Sequence, residues 1–123
     1  MGVGMQIVYL GFAGSAELEA EAATRLIGIE RFRALISGCH LAIEARRMPG
    51  GMRAYDVRLD LITRNDELKP LPHCSGDDVC ETVRRAFAAA ECALIAWQAQ
   101  DGASAPLRTA PSGGASGGMS AMR

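Results

Sequence analysis

The sequence predicts an α+β domain, a two-layer β-α-β-β-β-α sandwich with two helices packed on one face of a three- to four-stranded sheet. Three observations predict it. Cys39 to Ala45 and Tyr55 to Thr63 alternate apolar and polar residues with a period of two, the mark of half-buried strands. Two other stretches repeat apolar residues at steps of three and four, the mark of amphipathic helices. Only one face of the alternating strands is consistently apolar, so both helices must cover that same face.

The elements follow in order. Met5 to Phe12 reads as a strand: Ile7, Val8, Tyr9 and Leu10 favour extended backbone, and the run is too short for a helix. Gly11, Ala13 and Gly14 break it. Ser15 is placed to cap a helix, with Glu17, Glu19 and Glu21 near its positive end. That helix sets Leu18, Ala22, Leu26 and Ile29 on one face and is expected to end near Phe32. Cys39, Leu41, Ile43 and Ala45 then face one way, while His40, Ala42 and Glu44 face the other. Pro49, Gly50 and Gly51 mark a turn. Tyr55, Val57, Leu59 and Leu61 alternate with Asp56, Arg58 and Asp60, which predicts an antiparallel hairpin with the preceding strand. Asn65, Asp66 and Glu67 form a second turn. Leu68 to Leu71 is a short strand that Pro70 confines to a sheet edge. Pro72 to Gly76 reads as a loop. Asp77 and Asp78 open a second helix whose apolar face carries Val79, Val83, Ala86, Phe87, Ala90, Leu94 and Trp97. The domain is expected to occupy residues 1–100. Residues 101–123 are rich in Gly, Ser, Ala and Pro, show no apolar period, and are expected to form a disordered tail.

The totals narrow the functional classes. The chain has 123 residues, enough for one domain. Its net charge of -1 offers no general basic surplus for nucleic acid, so any such contact must come from a local patch. Aromatics at 5% argue against rows of stacked bases. No apolar run approaches the roughly 18 residues of a membrane span. Met1 to Phe12 lacks the basic start and cleavage site of a secretion signal, so the protein is expected in the cytoplasm. Its four cysteines are then expected as reduced thiols.

Several stretches carry a resemblance to one family. Glu30-Arg31-Phe32 followed by Ile36-Ser37-Gly38-Cys39-His40-Leu41 resembles the "ERF…ITSCRV" passage of the ribosome hibernation promoting factors, which include ribosome-associated inhibitors. Tyr55 to Leu61 resembles the family's "YHVRIDL" strand. Asp78-Val79, Val83, Ala86-Phe87, Ala90-Glu91 and Leu94 resemble its second helix. The resemblance runs from about Met5 to Trp97. It implies a cytoplasmic non-enzyme that binds the small ribosomal subunit through rRNA phosphates and restrains translation under stress or in stationary phase. It implies no cofactor, no small-molecule substrate and no membrane. No stretch of this sequence resembles the family's C-terminal dimerising domain, so the chain is expected to be like the family's short form. Positions often basic in the family are here Leu35, His40, Ala89 and Cys92. The competing reading is the same scaffold acting as a protein-interaction or self-association module, and a homodimer stays open under either.

The candidate RNA-binding residues are Arg25, Arg31 and Arg33 around the first helix, Arg84 and Arg85 on the second, and Arg46, Arg47 and Arg53 flanking the Pro49-Gly50-Gly51 turn. Arginine suits the role because its planar fork matches phosphate oxygens. The plain alternative is a set of solvated charges interleaved with Glu30, Glu81 and Glu91. Other clusters carry less. His73, Cys74 and Cys80, with Cys39 and His40, contain no CxxC pair and are not assigned as a metal site. Asp77 and Asp78 suit a helix N-terminus better than an acid pair. Asp56, Asp60 and Glu44 are read as solvated residues of the open sheet face. No nucleophile, base and acid fall at a recognisable spacing, so no catalytic residue is assigned.

Overall fold

A computed structural model of the chain describes residues 2–104. The first of two compact units ends at Cys92, and the second begins at Ala93.

The first unit is built on one long hairpin. Strand β2 (Ile36–Arg47) pairs antiparallel with β3 (Arg53–Thr63). Its buried side sets Cys39 opposite Leu61, Leu41 opposite Leu59 and Ile43 opposite Val57, all at most 2% exposed. The hairpin closes at Pro49–Gly51, where Gly50 and Gly51 take φ of +85° and +79°. Only glycine adopts such angles without strain. Strand β1 (Gly4–Leu10) lies parallel to β2 on one edge of the sheet. At the other edge, β4 (Leu68–Lys69) and β5 (Cys74–Gly76) both pair antiparallel with β3. The sheet is therefore mixed.

Helix α1 (Ala16–Ile29) connects β1 to β2. The Ser15 hydroxyl accepts the Leu18 N–H at 3.1 Å, as its capping position requires. The α-helix stops at Ile29 rather than near Phe32, and a 3-10 turn, Glu30–Phe32, carries the chain on and buries Phe32. The tighter turn follows from the job of Glu30, whose carboxylate accepts the Val3 N–H at 3.1 Å and ties the N-terminal segment to this corner. Helix α2 (Val79–Ser104) begins at Asp78, whose carboxylate accepts the Glu81 N–H at 3.2 Å. Leu18, Ala22 and Ile29 of α1 are buried, as are Val83, Ala86, Phe87 and Ala90 of α2. With the apolar face of β2 and β3 they make one core, so both helices lie on the same side of the sheet. In the second unit, α2 runs on to Ser104. The expected tail lies, from residue 105 onward, outside the described residues.

Two readings need correction. Cys74–Gly76 is a strand, not a loop. Pro70 and Pro72 carry no N–H, so they interrupt the edge and split it into two short pieces on either side. Strand β2 begins at Ile36, three residues before its alternating pattern. A register shift between Ile36 and Gly38 breaks the alternation there.

Leu41 is fully buried at the centre of the seam between sheet and helices. Leu41→Ala is expected to lower unfolding free energy by about 2–5 kcal/mol in urea titration, whereas Leu68→Ala, at an exposed edge position, should cost well under about 1 kcal/mol.

Candidate nucleic-acid interface

The arginines fall into three places. At the hairpin tip, Arg47 of β2 lies opposite Arg53 of β3 in the ladder. Both are exposed, and neither has a carboxylate within 4.0 Å among the described residues. Arg46 beside them reaches Asp56 at 3.9 Å. This contact is long and half-exposed, so it neutralises little.

At the other end of the hairpin stand Arg31, Arg33 and Arg64. Arg31 lies over the Phe32 ring, 4.6 Å from its centroid, a cation-π contact that holds the guanidinium without cancelling its charge. Arg64 donates to the Arg33 carbonyl at 3.3 Å, and Arg33 reaches back to the Glu30 carbonyl at 3.5 Å. These acceptors are neutral, so the positive charge remains. Arg64 is not among the arginines singled out from the sequence. Only the strand register shows it: Ile36 pairs with Thr63, so the residues just before β2 meet those just after β3.

The third place is the helical layer. Arg25 and Arg84 both pair with Glu21, at 3.2 and 3.1 Å. Arg85 instead donates to the Ser75 carbonyl at 2.6 Å and braces α2 against β5. The eight predicted arginines thus do not form one patch. Five, Arg31, Arg33, Arg47, Arg53 and Arg85, keep an uncancelled charge among the described residues.

On the open sheet face two of the expected acids are partnered instead of freely solvated. Asp60 is only 3% exposed rather than solvated. It lies on the inner strand β3, directly opposite His40, and pairs with Arg58 of its own strand at 3.1 Å. Its Oδ1 accepts no hydrogen bond among the described residues. Asp56 accepts the Ser75 hydroxyl at 2.7 Å and lies 3.5 Å from His73 Nδ1. The Ser75 hydrogen bond, with His73 and Arg46 nearby, holds its carboxyl below its ordinary 3.8.

Cys39 is an inward residue of β2, and burial pushes its thiol up to about 12. A thiol so far from ionising is a core side chain and not a nucleophile. Among the described residues no group of three His, Cys, Asp or Glu side chains could hold a metal ion. No helix among them is long and apolar enough to cross a membrane.

No protein-family model matches the sequence, and no curated protein matches it. Solved structures do match. A ribosomal subunit interface protein from Coxiella burnetii superposes with a TM-score of 0.66 over 79% of this chain and 99% of that chain, at 18% identity. This chain has the fold of a ribosomal subunit interface protein. The N-terminal domain of Protein Y from Thermus thermophilus agrees, with a TM-score of 0.56 and 11% identity over the same shares of the two chains.

The Asp56 site generates a pH prediction. Its carboxyl is lowered in the native state, so its contribution to stability is complete above the unfolded value and fades as pH falls through the lowered native one. In urea melts, the stability gap between the native sequence and Asp56→Asn should be largest near about pH 6 and shrink toward about pH 3. A gap that stays constant across that range would remove Asp56 from the acid response.

Proposed function

We propose that the chain binds the small ribosomal subunit in the cytoplasm and restrains translation by occupying space on it, with arginines meeting rRNA phosphates. The observation that carries this reading is the pair Arg47 and Arg53, side by side at an exposed hairpin tip with no carboxylate among the described residues to cancel them, on the fold of a ribosomal subunit interface protein. Phosphate contacts of this kind position a protein without reading bases. Arg31, Arg33 and Arg64 give a second contact at the opposite end of the hairpin. Arg25 and Arg84 contribute less, because each is paired with the Glu21 carboxylate, and Arg85 is held against the Ser75 carbonyl. The reading involves no catalysis, cofactor or small-molecule substrate.

A second reading has its own observation. Among the described residues, strand β1 pairs on one side only, with β2, and Gly4–Leu10 carries neither charge nor proline. Such an edge can accept another strand, which would suit a self-association module.

Sedimentation with purified small subunits over a potassium chloride series separates the two. Under the ribosomal reading, binding weakens steeply with salt. Combining Arg47→Gln with Arg53→Gln should flatten the log–log slope by about one to two, near 0.7–0.9 for each phosphate left without its arginine. Absence of binding at low salt, together with a concentration-dependent dimer in analytical ultracentrifugation, would favour the β1 edge instead.

A further inference from the structure

A groove of about 160 Å³ runs between the two helices, with Thr24, Arg25 and Gly28 on the α1 wall and Arg84 and Glu91 on the α2 wall. The helices approach closely here: a Cβ on Gly28 would meet a Glu91 carboxylate oxygen at 2.6 Å. Two guanidinium groups from different helices converge on a single atom in this region. Arg25 Nε lies 3.2 Å and Arg84 Nε 3.1 Å from Glu21 Oε2. A Glu–Arg pair one turn apart on a helix is an ordinary surface feature. The second arginine is not, because it arrives from a residue 63 positions away. Burial orders the three groups. The Glu21 side chain is 19% exposed, whereas those of Arg25 and Arg84 are 42% and 50% exposed. The carboxylate is the most buried of the three groups, and both arginine side chains remain partly open to solvent.

A guanidinium fork takes a carboxylate oxygen and a phosphate oxygen in the same way. Glu21 therefore occupies the position that a phosphodiester oxygen would take between the two arginines. We propose that Glu21 is a built-in competitor for RNA phosphate at the groove between α1 and α2, and that its carboxylate sets how tightly this surface takes a polyanion. The proposal rests on the ribosomal reading above and adds a regulatory residue to it. An incoming phosphate must either displace Glu21 from both Nε atoms or bind beside it against like charge. In either case the carboxylate subtracts from the affinity the two arginines would otherwise supply. Glu91, on the opposite wall, adds a second negative charge to the same groove.

The test is binding of the full chain to purified small ribosomal subunits across a potassium chloride series, with three variants. Glu21→Gln keeps the side chain's size and removes its charge. Glu44→Gln makes the same change in net charge on the open sheet face, where Glu44 is exposed and makes no ion pair among the described residues. Glu21→Gln with Arg84→Gln removes one of the released arginines. Circular dichroism establishes that each is folded, and Glu21→Ala repeats the experiment if the glutamine variant is not. Glu21→Gln should tighten binding about fivefold or more and steepen the salt slope by about one to two. Glu44→Gln should change affinity less than about twofold, and the added Arg84→Gln should abolish most of the gain. Binding by Glu21→Gln where the native sequence shows none also supports the proposal. If the native chain binds but Glu21→Gln matches Glu44→Gln, net charge alone acts and the competitor role is wrong while the ribosomal reading stands. If neither the native chain nor Glu21→Gln binds at low salt, both fail.

Discussion

The β2–β3 ladder holds the apolar surface on which the rest of the first unit depends. Cys39, Leu41, Ile43, Val57, Leu59 and Leu61 form an unbroken buried panel, and neither helix has another surface on which to bury its own stripe. Burying such side chains contributes about 1.5–3 kcal/mol each, which outweighs any single surface contact here. The panel also fixes where the charges can be. With the helices committed to one face, arginines can stand only at the two ends of the hairpin, on the outer helix surface, or on the open face. The described arginines stand there.

Local neutralisation matters more than net charge for a chain whose total is close to zero. The strand β3, with 11 residues, spans roughly 36 Å at about 3.3 Å per residue. The two clusters that pair with no carboxylate among the described residues, Arg47 with Arg53 and Arg31 with Arg33 and Arg64, therefore stand far beyond the screening length of about 8–10 Å in physiological salt. They act as separate contacts, and only an extended polyanion can touch both. Between them, the arginines of the helical layer are occupied by Glu21 or by the Ser75 carbonyl.

Much of this was legible in the amino-acid sequence because burial imposes periods. The hairpin, both helices, the Ser15 cap, the opening of the second helix at Asp77 and Asp78 and the inward position of Cys39 all follow from the residue pattern. Each part that was not legible has a local cause. The register shift near Gly38 hid the first residues of β2. Prolines on both sides of Leu71 disguised one interrupted edge as a strand and a loop. Asp60 looks exposed by alternation, but it faces His40 across the ladder and is held against the Arg58 guanidinium, which alternation does not report. The pairings of Arg84 with Glu21 and of Arg64 with Arg33 join residues far apart in the chain. No spacing rule reports such meetings; only the hairpin register and the helix packing do.

The parallel pairing of β1 with β2 has a consequence for the order in which the chain can assemble. Antiparallel neighbours such as β2 and β3 meet across a short turn, with little entropy lost in closing it. A parallel neighbour must wait for a whole crossover, here α1 and the 3-10 turn, to be made and laid down. Strand β1 leaves the synthesising machinery before any partner exists for it, at a rate of about 5–20 residues per second. Strand β1 can pair only after β2 exists and the crossover between them has been laid down, so its pairing forms later than that of the β2–β3 hairpin.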